Sequence, residues 1–158
     1  MDKLNIHSKL QGIQSSLKAP KGQTNKFGGY TYRSAEDILT AVKPLLAEWN
    51  CTLVITDDVV EVGGRIYVKA MAVLACTEGG EYTIQANGFA RESETRKGMD
   101  DSQITGSASS YARKYALNGL FAIDDTKDAD ATNDHGKKPI TQTKKTNPLA
   151  HADADFEF

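Results

Sequence analysis

The fold is decided by residues 59–75, which read Val-Val-Glu-Val-Gly-Gly-Arg-Ile-Tyr-Val-Lys-Ala-Met-Ala-Val-Leu-Ala. Gly63-Gly64 is a hairpin turn signal between two runs rich in apolar and β-branched residues. In the second run the side chains alternate, which predicts a strand with one buried and one partly buried face. Further strands are predicted over residues 51–56 and, after a turn at Gly79-Gly80, over residues 82–89. Together these three or four strands predict an antiparallel β-meander.

Helical patterns lie on both sides of this meander. Apolar spacing predicts a first helix over about residues 2–18, and residues 34–37 (Ser-Ala-Glu-Asp) form a capping box that opens a second. Pro44 should kink or divide that second helix. A last helix is capped by Asp100 and closes at Asn118-Gly119, with the glycine as the left-handed residue. This order predicts an α+β fold with a meander backed by helices, not a wound parallel sheet.

The overall composition excludes several classes of protein. The 158 residues carry 19 Lys and Arg against 21 Asp and Glu, so a uniformly basic nucleic-acid coat is excluded, although a local basic patch is not. No apolar run approaches the roughly 20 residues of a membrane span. Cys51 and Cys76 lie far apart in the sequence without Cys or His neighbours. A disulfide scaffold and a zinc cluster are therefore not expected, and a reducing cytoplasm fits best.

The composition changes sharply after Ile123. Residues 124–158 carry eight acidic and five basic residues, and their Leu and Ile residues are Ile140 and Leu149 alone. Such a segment cannot bury enough apolar surface to offset its ordering entropy. We therefore expect a folded domain over residues 1–123 and a flexible, acidic-tipped tail over residues 124–158.

Charge is also uneven within the folded part. Six bases and no acid lie between Lys3 and Ala35. The glycine-rich stretch from Lys21 to Arg33, interpreted as a loop, interleaves bases with aromatic residues. Phosphates need cations and unpaired bases need flat π surfaces, so this stretch is a candidate nucleic-acid site. The alternative is a solvated loop whose aromatic rings pack on the domain.

Three acidic pairs are candidate ligands for a divalent metal ion: Asp57-Asp58, Asp100-Asp101 and Asp124-Asp125. The last of them, with Lys127, resembles half of a metal-nuclease signature. Against this, the pairs are expected at a strand turn, at a helix cap and at the start of the tail. No Walker loop is present, and the histidines are scattered. No metal and no cofactor is therefore expected, with a metal-dependent nuclease kept as an alternative.

Two long motifs resemble a known family. Residues 25–38 (Asn-Lys-Phe-Gly-Gly-Tyr-Thr-Tyr-Arg-Ser-Ala-Glu-Asp-Ile) and residues 98–130 resemble the two signatures of the essential recombination function (ERF) family of phage single-strand annealing proteins. The resemblance covers about residues 4–130. It implies a non-enzymatic protein of the bacterial host cytoplasm that binds single-stranded DNA, anneals complementary strands without ATP and assembles into rings or helical filaments. It also suggests the core of the eukaryotic strand-annealing proteins, a meander backed by a helix.

The resemblance and the local charge together select the candidate DNA-binding residues. Signature positions are matched by Lys26, Phe27, Tyr30, Tyr32, Arg33, Gln103, Ser107, Arg113 and Lys114, and charge adds Lys21, Arg91, Arg96 and Lys97. We expect Lys26, Arg33, Arg113 and Lys114 to meet phosphates, with Tyr30 or Tyr32 beside the bases. The apolar face of the last helix is expected to contain Ile104, Ala108, either Tyr111 or Ala112, and Tyr115.

The end of the tail is a separate candidate site. Its acidic and aromatic residues are Asp153, Asp155, Phe156, Glu157 and Phe158. They are similar to the acidic tips of bacterial single-strand DNA-binding proteins, which recruit repair enzymes. The expected partner is a phage exonuclease or a host single-strand DNA-binding or repair protein, with no membrane partner. An inert tip, a tip that competes with DNA for the basic surface, and an adaptor protein without DNA affinity are the alternatives.

Overall fold

The structure is a computed structural model that describes residues 5–26, 28–77 and 82–124. Within these residues it has the α+β architecture that the sequence predicts, with three helices and two antiparallel sheets. The elements in chain order are α1 (Ile6–Ser16), β1 (Gln23–Asn25), β2 (Tyr30–Tyr32), α2 (Ala35–Glu48), β3 (Cys51–Val62), β4 (Arg65–Cys76), β5 (Thr83–Arg91) and α3 (Asp101–Phe121). The predicted Gly79-Gly80 turn, Phe27 and the chain from Asp125 onward lie outside the described residues.

The central sheet is the antiparallel meander β3-β4-β5. Gly63 and Gly64 both adopt positive φ, 59° and 71°, as a tight two-residue hairpin turn requires. The turn pairs Val62 with Arg65 and fixes the register along the whole hairpin. The expectation that Asp57-Asp58 lie at a strand turn is wrong, because β3 runs unbroken from Cys51 to Val62. The two carboxylates therefore point to opposite faces of the sheet.

Helix α3 covers one face of this sheet, which we call the covered face. The β4 side chains that are buried on this face are those of Val68, Ala70, Ala72 and Leu74. The helix lies very close to the sheet at Gly88, where a Cβ atom would overlap the backbone of Ala112 and Ala116. The opposite, open face carries Val54, Met71 and Phe89, and no described element packs on it. Small residues on α3 and β5 thus bring the helix unusually near the strands.

The last helix differs from its prediction at both its packing face and its end. The buried position is Ala112, whereas Tyr111 and Tyr115 are exposed. The predicted end at Asn118-Gly119 is wrong: α3 continues to Phe121, and Ala122 takes the left-handed conformation with φ 50°. Leu120 and Phe121 are almost fully buried, so their packing extends the helix past the glycine.

The remaining elements sit beside α3. Helix α1 begins at Ile6, where the Asn5 side chain accepts from Ser8 N–H at 2.9 Å. Helix α2 begins with the predicted capping box of Ser34 and Asp37 and continues past Pro44 undivided. The stretch predicted as a loop contains a small hairpin, β1-β2, because Tyr-Thr-Tyr favours a strand after the glycine turn. No helix among the described residues is long and apolar enough to cross a membrane.

Candidate nucleic-acid interface

A cavity of about 350 Å³ lies between the β1-β2 hairpin, the start of α2 and the middle of α3. We call it the tyrosine groove, because four tyrosines line it: Tyr30, Tyr32, Tyr111 and Tyr115. Two cationic residues, Arg33 and Lys114, and one acid, Glu36, also line it. The groove therefore joins the two sequence motifs that resemble the ERF signatures, although the 59 residues from 39 to 97 separate them in the chain.

The hairpin side of the groove is held by a small set of hydrogen bonds. The Asn25 side chain accepts from Gly28 N–H at 3.0 Å and donates from Nδ2 to the Tyr30 hydroxyl at 2.9 Å. Tyr30 and Tyr32 meet edge to face, with ring centroids 6.3 Å apart. Gln23 Nε2 donates to the capping Asp37 at 3.2 Å, which ties the hairpin to α2. These contacts fix the aromatic rings relative to the helix start.

Hydrogen bonds at this side of the groove also change the pKa of the Asp37 carboxyl group. The Ser34 N–H donates to Asp37 Oδ2 at 2.8 Å, and Asp37 N–H donates to the Ser34 hydroxyl at 3.2 Å. The backbone hydrogen bond from Ser34, helped by Gln23, lowers the pKa of the Asp37 carboxyl despite some burial. The charged form thus stabilises the start of α2 at neutral pH.

The helix side of the groove presents a cation between two rings. Lys114 Nζ lies 5.1 Å from the ring centroids of both Tyr111 and Tyr115. The two rings are themselves 6.2 Å apart. Cation–π attraction keeps the ammonium group next to the two rings at the groove. A phosphate bound there would place its neighbouring bases next to flat aromatic surfaces.

A second cavity of about 300 Å³ begins on the other side of the same two tyrosines. It runs between α3 and the end of β5 and is lined by Arg91, Arg96 and Ser107 among others. Arg96 Nη1 donates to the Ser107 hydroxyl at 3.4 Å, so this arginine lies against α3. Tyr111 and Tyr115 line both cavities, so the second cavity adjoins the tyrosine groove at these two residues.

Arg113, expected to meet phosphate, has a partner within the protein. Its Nε lies 2.9 and 3.1 Å from the two carboxylate oxygens of Asp57, its Nη2 lies 2.9 Å from Oδ2, and Ser109 donates to the same carboxylate. Burial opposes ionisation, but the hydrogen bonds from Arg113 and Ser109 and the Arg113 charge keep the pKa of Asp57 below its usual value. The same hydrogen bond to Asp57, with the charges of Asp57 and Glu36, raises the pKa of Arg113. The pair joins β3 to α3.

Other predicted residues lie away from the two cavities. Lys26 is exposed at the hairpin turn, Lys21 precedes the hairpin, and Lys97 is exposed in the loop before α3. Gln103 closes the capping box with Asp100, with distances of 2.8 and 3.1 Å between the paired atoms. Phe27 and the five residues of the tail tip lie outside the described residues. Within the described residues, no group of three or more metal-binding side chains is found.

Sequence reasoning missed the two tyrosines of α3 as site residues. Tyr111 and Tyr115 are four residues apart and therefore lie on one face of the helix, with Lys114 beside them. Ala108, Ala112 and Ala116 repeat with the same spacing on the buried side. The two repeats assign the alanines to the sheet and the tyrosines to solvent, and this signal is visible in the sequence.

The comparisons with known proteins agree with these two motifs. The family model of the ERF superfamily matches residues 6–154, beyond the region in which the motifs were recognised. One relative is the Essential recombination function protein of Salmonella phage P22. It is 51% identical over 145 residues, which cover 89% of this chain and 68% of the relative. On this evidence the chain belongs to the ERF superfamily.

Proposed function

We propose that this chain is a phage recombination protein that binds single-stranded DNA along the tyrosine groove and anneals complementary strands without ATP. The observation that carries the proposal is the meeting of both family motifs in one groove lined by tyrosines and cations. The name of the P22 relative, an essential recombination function protein, supports the role in recombination.

The groove suits a single strand better than a duplex. Aromatic side chains bind unstacked bases whatever their sequence, and cations track the phosphates between them. We assign Lys114 and Arg33 to phosphates, and Tyr111 and Tyr115 to bases, with the path continuing towards Arg91 and Arg96. Arg113 is assigned to the ion pair with Asp57 instead of to DNA.

Assembly into a ring or helical filament would reconcile a net charge of −2 with DNA binding. Each subunit needs a modest groove, because contacts add along the strand when subunits are linked. The uncovered sheet face supports subunit contact: Val54 is 57% and Phe89 50% exposed. Strands β3 and β5 are the sheet edges among the described strands and offer further surface for pairing.

An annealing assay tests the central proposal. Two complementary dye-labelled oligonucleotides are mixed with the full chain, with EDTA present and ATP absent, and pairing is followed over time. We expect pairing well above the spontaneous rate. No acceleration would contradict annealing, and shortened oligonucleotides in a repeat with magnesium would favour a nuclease instead.

A pair of lysine variants tests the position of the groove. Lys114→Ala should weaken binding of a short single strand about tenfold, because a charge-assisted contact to phosphate contributes about 1.5 kcal/mol. The slope of log affinity against log salt should fall by about 0.7. Lys43→Ala is the matched control, since Lys43 is exposed on α2 and lines neither cavity. Equal losses in both variants would refute the position.

A further inference from the structure

Two free cysteines that are distant in the sequence lie directly opposite each other in the sheet. Cys51 begins β3, Cys76 ends β4, and the register pairs them. At the next pair outward, Thr77 N–H donates to the Asn50 carbonyl at 2.9 Å. Hydrogen-bonded and non-hydrogen-bonded pairs alternate along an antiparallel ladder, so the cysteines occupy a non-hydrogen-bonded pair.

This position suits a disulfide bond without movement of the backbone. In non-hydrogen-bonded pairs the Cα atoms lie about 4.5 Å apart and the side chains approach more closely than in the other type. Disulfides bridge Cα separations of about 4.4–6.8 Å. Both side chains point to the covered face, on the same side of the strands as Leu53 and Leu74. The sheet therefore holds the two sulfur atoms ready for bonding.

We infer that Cys51 and Cys76 form a reversible intramolecular disulfide when the chain meets a disulfide oxidant such as oxidised glutathione. The partly exposed Cys76 reacts first: its thiolate attacks one sulfur of the oxidant, forms a mixed disulfide and releases one glutathione thiolate. Cys51 then loses its proton to solvent and attacks Sγ of Cys76, which releases the second glutathione. The chain loses two protons and two electrons, and the oxidant becomes two glutathione molecules.

The surroundings of Cys51 explain this order of attack. Cys51 is 6% exposed, whereas Cys76 is partly open to solvent. Burial, followed by the neighbouring Cys76 sulfur, raises the pKa of the Cys51 thiol. A buried, protonated thiol is a poor first nucleophile but reacts readily with a disulfide held next to it.

The thiol pair is remote from the tyrosine groove. The groove contains the first residues of α2, and Cys51 follows the other end of this 14-residue helix, which spans about 21 Å. The bond would link the two ends of the β3-β4 hairpin and so restrict the unfolded chain. We expect the melting temperature to rise by about 10 °C on oxidation.

The experiment equilibrates the full chain in glutathione redox buffers, blocks the remaining thiols and measures the intact mass. Under oxidising conditions we expect wild type to lose the mass of two hydrogen atoms, to carry no glutathione and to give one cross-linked peptide containing both cysteines. Cys51→Ala should keep a glutathione adduct on Cys76, and Cys76→Ala should stay unmodified while folded.

Three results would overturn the inference, and wild type alone provides all of them. They are two free thiols at every redox potential tested, a stable mixed disulfide, and a bond between two chains. Melting with and without dithiothreitol supplies a second readout, because a disulfide that leaves the melting temperature unchanged or lowers it would also contradict the geometry. Thus the test does not depend on whether either alanine variant folds.

Discussion

The two sides of helix α3 have opposite compositions within the same 21 residues. The inner side presents Ala108, Ala112 and Ala116 to the sheet, and the outer side presents Tyr111 and Tyr115 with Lys114. Small side chains on the inner side allow close packing, whereas large rings on the outer side leave surface for a ligand. The 3.6-residue period thus separates residues that pack on the sheet from residues that reach the surface.

This contrast predicts which substitutions should change stability and which should change DNA affinity. Inner-side changes should reduce the free energy of unfolding, because the interior at Gly88 has no room for another atom. Outer-side changes should reduce DNA affinity and leave stability nearly unchanged, because Tyr111 is 48% exposed. An inner-side variant that changed only DNA affinity, or an outer-side variant that changed only stability, would contradict this division.

The largest effect is expected at the inner side, for Gly88→Ala. The new methyl group would overlap the backbone of Ala112 and Ala116, which cannot move aside as a flexible side chain could. We expect the free energy of unfolding to fall by about 3 kcal/mol. Urea unfolding of the full chain, followed by far-ultraviolet circular dichroism, measures it.

Gly106→Ala is the matched control for that prediction. Gly106 lies on the exposed part of α3, and a Cβ atom there would meet nothing within 4 Å. Alanine is the better helix former, so the control should gain up to about 1 kcal/mol. If both variants lost stability equally, close packing at Gly88 would not be the cause.

The next effect is expected on the outer side, for Tyr111→Ala. Loss of a stacked ring should weaken binding of a short single strand by about 2 kcal/mol, with little change in urea unfolding. Tyr82→Ala is the control, since Tyr82 is 69% exposed and lines neither cavity. Fluorescence anisotropy at one fixed salt concentration compares the affinities of the two variants. Equal affinity of wild type and Tyr111→Ala would contradict the stacking of bases on Tyr111.

Local signals in the sequence predicted most of the fold. The capping boxes at Ser34 and Asp100 and the Gly63-Gly64 turn depend on residues within four positions of each other, and all three are confirmed. The end of α3 was mispredicted because burial of Phe121, a tertiary effect, outweighed the local preference of Gly119.

Local sequence patterns could not predict contacts between side chains that are far apart in the chain. Asp57 and Arg113 are 56 residues apart in the chain, and no spacing rule connects them. The Cys51–Cys76 pair is different: the turn at Gly63-Gly64 implies this register once β3 is taken as one strand. Interpreting Asp57-Asp58 as a turn hid that pairing. On the helix side of the tyrosine groove, Lys114 was among the predicted residues, whereas Tyr111 and Tyr115 were missed although their spacing is visible in the sequence.

The smallest effect is expected for Asp57→Asn. This variant tests the ion pair with Arg113, which lies between the inner and outer sides of α3. Arg113 is 45% and Asp57 23% exposed in their side chains, so water screens the pair and its loss should cost about 1 kcal/mol at pH 7. DNA affinity should change less than twofold, since Arg113 is assigned to the ion pair with Asp57 and not to DNA.

The pH dependence of this variant separates charge from shape. The pKa of Asp57 is lowered in the folded chain from its ordinary value of 3.8, so its contribution to stability is fully present above that value. It is lost as the pH falls through the folded pKa, because the carboxyl then becomes neutral like the amide. Urea unfolding at pH 7 and in acid should therefore show wild type and Asp57→Asn converging. A difference that persisted in acid would mean that the amide disturbs the hydrogen bonds of Ser109 and Arg113, and the link between β3 and α3 would then depend on geometry more than on charge.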